Sequence, residues 1–127
     1  MSDADKAEIL AVYQGTLDAF LANDVETMNT FLQYPLAHIG AGKITMVDAY
    51  PVQPAALMAS KGWHSTKDVE YEVVFASADK AHLVLRNAVR IRKDGSEIER
   101  VSGFYALTKT PSGWKIFAMS DITIAVG

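Results

Sequence analysis

Between Ala81 and Ile124 two turn signals cut a long alternation of apolar residues into three segments, AHLVLRNAVRIRK, EIERVSGFYALTK and GWKIFAMSDITI. Asp94-Gly95 suits the positive φ angles of a tight type I′ hairpin, and Thr110-Pro111-Ser112-Gly113 presets one φ with proline and reverses at glycine. An alternation of period two makes each segment a strand, and the three together predict an antiparallel meander. A chain with such a meander must bury one face of a curved sheet.

A two-residue loop at Asp94-Gly95 places Lys93 opposite Ser96, and so Arg92 opposite Glu97 and Arg90 opposite Glu99. The face carrying these opposite charges is expected to meet solvent near the hairpin tip. Leu83, Leu85, Asn87, Val89 and Ile91 then share the other face with Ile98, Arg100, Ser102, Phe104 and Ala106. With a loop from Thr110 to Gly113, Phe117, Met119, Asp121 and Thr123 join them. That face is apolar with a polar belt: Asn87, Ser102 and Asp121 side by side, and Arg100 diagonal to Asp121. Buried polar groups pair or line a cavity, so two readings stand, a closed Arg100–Asp121 ion pair and a pocket. A single bulge would invert a strand's faces.

Upstream, Leu10, Tyr13, Leu17, Phe20 and Leu21 form one stripe of a helix over residues 3–22, with Ser2 and Asp5 as a capping box. Asn23 and Glu26 repeat the capping pattern before a short helix over 24–30. FLQYPLAHI reads as a strand that Pro35 assigns to a sheet edge, and ITMV as a short partner. A helix is expected over 51–61, ended by Gly62, and a half-buried strand over VEYEVVFAS. Helices gathered on one face of a curved antiparallel sheet define an α+β architecture.

With 127 residues, half of them hydrophobic, the chain is expected to form one domain, 1–127, around one core. A net charge of −3 with interspersed signs argues against nucleic acid or an anionic membrane as partner. There is no cysteine, hence no disulfide framework or thiolate chemistry. No apolar run reaches about eighteen residues, and MSDADKAEIL lacks the positive start and apolar core of a signal peptide. The expectation is a soluble cytoplasmic protein.

The N-terminal helix pair, the FLQYPLAHI strand, the helix ending in Lys61-Gly62-Trp63 and the tail RIRKDGSEIERVSGFYALTKTPSGWKIFAMSDI together resemble the nuclear transport factor 2-like superfamily, also called SnoaL-like or ketosteroid isomerase-like. Ser112-Gly113-Trp114-Lys115-Ile116 is the most characteristic stretch, and it marks the fold rather than an activity. Tyr34-Pro35 and Gly62-Trp63-His64-Ser65 are similar to bacterial members without an assigned function. The resemblance implies a conical, cystatin-like barrel whose concave sheet and first helix enclose a pocket, commonly in a homodimer.

The chemistry of the family transfers poorly. Limonene epoxide hydrolase-like members use Arg-x-Asp on one strand and a second Asp nearby; Arg100 and Asp121 match in type, but Ser102 stands where the first acid belongs. Ketosteroid isomerase-like members need an Asp base near the first strand, where this chain has His38. A polyketide cyclase-like reaction asks only for a positioned acid, which Asp121 supplies. The catalytic candidates are therefore Asp121, Arg100 and His38, and the ligand-binding candidates Asn87, Ser102, Phe104, Met119, Tyr13 and Trp63, the last at the pocket mouth.

The histidines His38, His64 and His82 show no ligand spacing, so neither metal nor cofactor is expected. Two functions stay open. One is binding of a small, partly apolar molecule; the other is a cofactor-independent isomerase, cyclase or hydrolase. A homodimer is expected through the outer sheet face, with Val84, Ala88, Val101, Tyr105 and Ala118 as its apolar patch.

Overall fold

Ser2 opens the first helix by accepting the Asp5 N–H at 3.0 Å, and α1 then runs from Asp3 to Leu21. Asp24 does the same for α2, Val25–Asn29, accepting from Thr27 N–H at 3.1 Å. The chain continues through β1 (Leu32–Ile39), β2 (Ile44–Val47), α3 (Pro54–Lys61), β3 (Ser65–Ala76), β4 (Lys80–Ile91), β5 (Glu97–Thr110) and β6 (Gly113–Ala125). These elements come from a computed structural model, which describes residues 2–126.

The strands make one six-stranded sheet in the order β2-β1-β6-β5-β4-β3. All pairs are antiparallel except β1 with β6. The α+β architecture is the expected one. Pro35, however, does not mark an edge, because β1 lies between β2 and β6. It falls where the β1–β6 register shifts between Leu32 and Ala37, so its missing N–H leaves no gap in the ladder. The Tyr34-Pro35 peptide is cis. Pro51 lies outside α3, which starts at Pro54, where a proline's missing N–H costs nothing, and stops at Gly62 with φ of 69°.

Helix α1 lies over the concave sheet and buries Ile9, Val12, Tyr13, Thr16, Ala19 and Phe20. Its N-terminal turn is fastened to the β5–β6 hairpin through Trp114, itself almost wholly buried. Glu8 Oε2 accepts the Trp114 backbone N–H at 2.9 Å, Asp5 Oδ1 accepts the indole N–H at 3.3 Å, and Lys109 pairs with Asp5 at 3.0 Å. The Gly-Trp-Lys-Ile stretch thus works as an anchor for the helix. Ile9, Met28, Leu36, Leu83, Leu107, Ile116 and Met119 fill the space between helices and sheet.

Strand register decides which residues face this interior. The first hairpin is one residue longer than a type I′ turn: Gly95 N–H reaches Arg92 C=O, Arg92 N–H reaches Ser96 C=O, and Gly95 takes a φ of 88°. A type I turn closed by a glycine in a left-handed conformation explains this geometry. Arg90 does sit opposite Glu99, but Ile91 is opposite Glu97, leaving Ile98 extra on β5. A second irregularity lies in β4, between the pairs Leu85–Gly103 and Ala88–Val101. A third lies in β6 at Phe117, between Leu107–Ile116 and Ala106–Ala118.

Each extra residue rotates the following side chains by one position. The inner residues are consequently Leu83, Leu85, Ala88 and Arg90 on β4, Glu99, Val101, Gly103, Tyr105 and Leu107 on β5, and Ile116, Met119 and Asp121 on β6. Arg100, Ser102 and Phe104 lie on the outer face. The Arg90–Glu99 pair, expected in solvent, lies inside; the Arg100–Asp121 pair does not form.

Candidate functional site

Phe20 and Leu17 of α1, Tyr50 and Val52 of the loop before α3, Thr66 and Val69 of β3 and Leu85 and Ala88 of β4 wall a cavity of about 50 Å3. Into it come one carboxyl, Asp121, one guanidinium, Arg90, and the phenols of Tyr13, Tyr50 and Tyr105. Roughly 10–15 Å3 of such space admits one water, so the cavity holds a few waters or a small molecule. Sites for drug-sized ligands run to about 300–1,000 Å3.

Asp121 is positioned by its neighbours on β5. It stands opposite Gly103, and a Cβ at that position would lie 2.3 Å from Asp121 Oδ1 and 2.6 Å from Ser120 C=O. Only glycine leaves room for the carboxyl to fold over the strand. Two residues on, Tyr105 donates its phenol to Asp121 Oδ1 at 3.0 Å. Burial pushes the Asp121 carboxyl above the usual carboxylate range, while the Tyr105 bond and the charges of Arg90 and His38 pull the other way without overcoming it. Burial likewise raises the phenols of Tyr13, Tyr50 and Tyr105, so all three are neutral donors.

Arg90 is held from behind. Its Nη1 donates to Glu99 Oε2 at 2.6 Å, and Lys61 at the end of α3 donates to Glu99 Oε1 at 2.5 Å. Only 4% of the Glu99 side chain and 13% of Arg90 are exposed. Burial works against the Glu99 charge, yet the bonds from Lys61 and Arg90 prevail and hold its carboxyl below the ordinary range. Removing one partner of such a buried pair costs about 3–5 kcal/mol, because the other is stranded.

Aromatic packing closes the walls. Tyr13 tilts against Tyr105 at a centroid distance of 5.0 Å and against Tyr71 at 4.7 Å, and Tyr71 donates to Gln14. Phe20 packs on Trp63 at 5.1 Å and Tyr50 at 6.3 Å.

Of the residues singled out in the sequence, Asp121 and Tyr13 line the cavity. His38 sits on β1 beside Met119, close enough for its charge to act on Asp121 but not in the wall. Met119 is fully buried core. Trp63, 3% exposed, is no mouth residue: it stands behind Phe20 and donates its indole N–H to Thr66 Oγ1 at 3.1 Å. Arg100, Ser102 and Phe104 are turned outward by the bulges, Ser102 bonding Arg86 C=O at 2.8 Å. Asn87 is drawn to the β3 edge, donating to Asp68 C=O at 2.9 Å.

The sequence reading missed Arg90, Glu99, Tyr105 and Gly103 as parts of the site. One signal pointed there: a lone glycine inside a strand marks a bulge or a close approach. Among the described residues no group of His, Asp and Glu could hold a metal, and no helix is long and apolar enough to cross a membrane. A buried carboxyl with raised proton affinity beside a phenol can give or take a proton, and the guanidinium opposite can hold an electron-rich oxygen.

A family model described as NTF2-like protein (DUF6841) matches residues 5–122. Among solved structures, an NTF2-like protein of unknown function from Pseudomonas putida superposes with a TM-score of 0.72 at 13% identity, over 95% of this chain and 87% of that one. A cystatin-like fold protein from Burkholderia xenovorans gives 0.69 at 19% identity, covering 99% and 96%. An NTF2-like protein with a cystatin-like fold from Novosphingobium aromaticivorans gives 0.67 at 17%, covering 93% and 80%. No curated protein matches the chain. At these identities the likeness carries the fold alone.

Gly103→Ala tests how the site is built. The added methyl meets backbone as well as the carboxyl, so the variant is expected to lose about 1–3 kcal/mol of stability. Asp121 should be displaced from Tyr105, read by chemical denaturation and a crystal structure. A variant of unchanged stability with Asp121 in place would contradict this geometry.

Proposed function

We propose, for a chain that belongs to the NTF2-like family it matches, that the cavity under α1 binds a small, partly apolar molecule. The observation that carries this reading is the convergence of Asp121, Arg90 and three phenols on one cavity whose other walls are mostly apolar. Such a combination, apolar walls with a few directed polar groups, is what ligand sites share. The volume limits the occupant to a few heavy atoms unless Tyr50 and Val52, carried by a loop, move aside.

A second reading has its own support. Asp121, with proton affinity raised by burial and a neutral phenol bonded to it, has the make-up of a general acid or base in a cofactor-independent isomerase, cyclase or hydrolase. The hydrolase version built on Arg100 loses its ground, since Arg100 lies outside. Native mass spectrometry of the purified protein separates occupancy from emptiness. A small-molecule adduct that Val52→Trp, which fills the cavity from its loop wall, abolishes is expected; an empty wild-type protein that binds nothing from a metabolite extract would contradict the binding reading.

We propose further that the protein forms a homodimer through the outer sheet face, with a patch different from the one the sequence suggested. Ala88, Val101 and Tyr105 are buried inside, whereas Phe104 and Ile122 are 43% and 65% exposed and share a shallow depression with Val84 and Arg86. Arg86 pairs with Glu72 beside it, so the apolar patch has both charges at its rim and can be self-complementary about a two-fold axis. Light scattering at micromolar concentration should give the dimer mass and Ile122→Glu the monomer mass. A wild-type monomer would contradict the proposal.

A further inference from the structure

Arg90 brings five N–H donors to the cavity wall and, among the described residues, spends them on a single acceptor, Glu99. No buried side-chain nitrogen or oxygen in the described structure lacks a partner, so its remaining donors open onto accessible space rather than dry core. Glu99 in turn serves two cations, Lys61 and Arg90. This cluster of three charged groups carries a net positive charge directly behind the wall. Across the cavity the one carboxyl, Asp121, is engaged by Tyr105 rather than by Arg90.

We propose that the ligand of this cavity is a small organic carboxylate, whose anionic end is gripped by the Arg90 guanidinium and whose apolar remainder lies against Phe20, Leu17 and Val52. This rests on the binding reading above and narrows it to a class. A guanidinium fixed by Glu99 presents a flat fork that matches a carboxylate with two parallel bonds. Glu99 is a positioning residue, since it aims Arg90 without touching the ligand. The phenols of Tyr13 and Tyr50 add neutral donors that favour an oxyanion over a cation. Asp121 is the feature that works against the anion, and its burial eases the conflict because it takes up a proton more readily than an ordinary aspartate.

The test compares acetate with acetamide and propionate with propionamide, pairs alike in shape and different in charge, on the full chain at constant ionic strength set by sodium chloride. Binding is followed by NMR, including the Arg90 Nε–H resonance. The carboxylates should bind about tenfold or more tightly than the amides and shift that resonance. Asp121→Asn, which keeps the shape and removes the competing charge, should tighten carboxylate binding by about tenfold relative to amide binding, compared at a pH above the wild-type Asp121 midpoint, where that carboxyl is ionised. Arg90→Gln should abolish the preference.

Amides that bind as well as the carboxylates, with shifts confined to the cavity, would overturn the carboxylate and leave the binding reading standing. No shift at any cavity residue with either member of either pair would overturn both. Because Arg90→Gln also strips Glu99 of a partner, the Asp121→Asn result carries the decision: carboxylate binding unchanged or weaker there, relative to the amides, overturns the proposal.

Discussion

The interior of this protein depends on three inserted residues in its sheet. A β-strand shows alternate side chains to alternate faces, so one extra residue turns everything beyond it over. The irregularity in β4 between Leu85 and Ala88 brings Arg90 inward, the one at Ile98 keeps Glu99 beneath it, and the one at Phe117 sets Asp121 against Gly103. Without them Arg90 would point to solvent and Tyr105 would miss Asp121. Bulges also bend strands, so the same residues help to curve the sheet around α1.

Around that constraint the charges fall into two groups with opposite dependence on pH. Glu99, held by Lys61 and Arg90, has a lowered folded pKa. Its contribution is present above its ordinary value and lost as the pH falls through the folded one. Asp121 has a raised folded pKa, so its contribution is full below its ordinary value and lost as the pH rises through the folded one. The first group is a closed structural tie between α3 and the sheet. The second is an open one, a carboxyl kept where its charge is unwelcome, and a fold keeps such a group at a cost elsewhere in its stability.

The fold was legible because its signals are local. The cap at Ser2, the stop at Gly62, the Asp-Gly and Thr-Pro-Ser-Gly turns and the period-two strands each act over a few residues and are present. Helix α2, however, is capped by Asp24 rather than the expected Asn23, and the Asp-Gly turn is one residue longer than expected. The site was much less so. Asp121 and Tyr13 reach the cavity because Tyr13 lies on the helix stripe and two errors of register cancel at Asp121. Arg100, Ser102, Phe104 and Asn87 do not, since their facing depends on bulges that leave little trace in composition. Val101, Gly103 and Tyr105 alternate as well as Arg100, Ser102 and Phe104 do, and only packing against α1 chooses between them. Gly103 held the one readable hint, a residue without a side chain where a neighbouring strand's carboxyl needs the room.

Asp121 lies inside, over Gly103 and bonded by Tyr105, where burial disfavours its charge. A titration of the side-chain carboxyl carbon of Asp121 by NMR measures this most directly. The account predicts a midpoint above 3.8, the ordinary value for aspartate, with the Tyr105 phenol resonance shifting through the same transition. A midpoint at or below 3.8, with Tyr105 unaffected, would place Asp121 in solvent or beside a dominant cation and contradict the register on which the cavity rests.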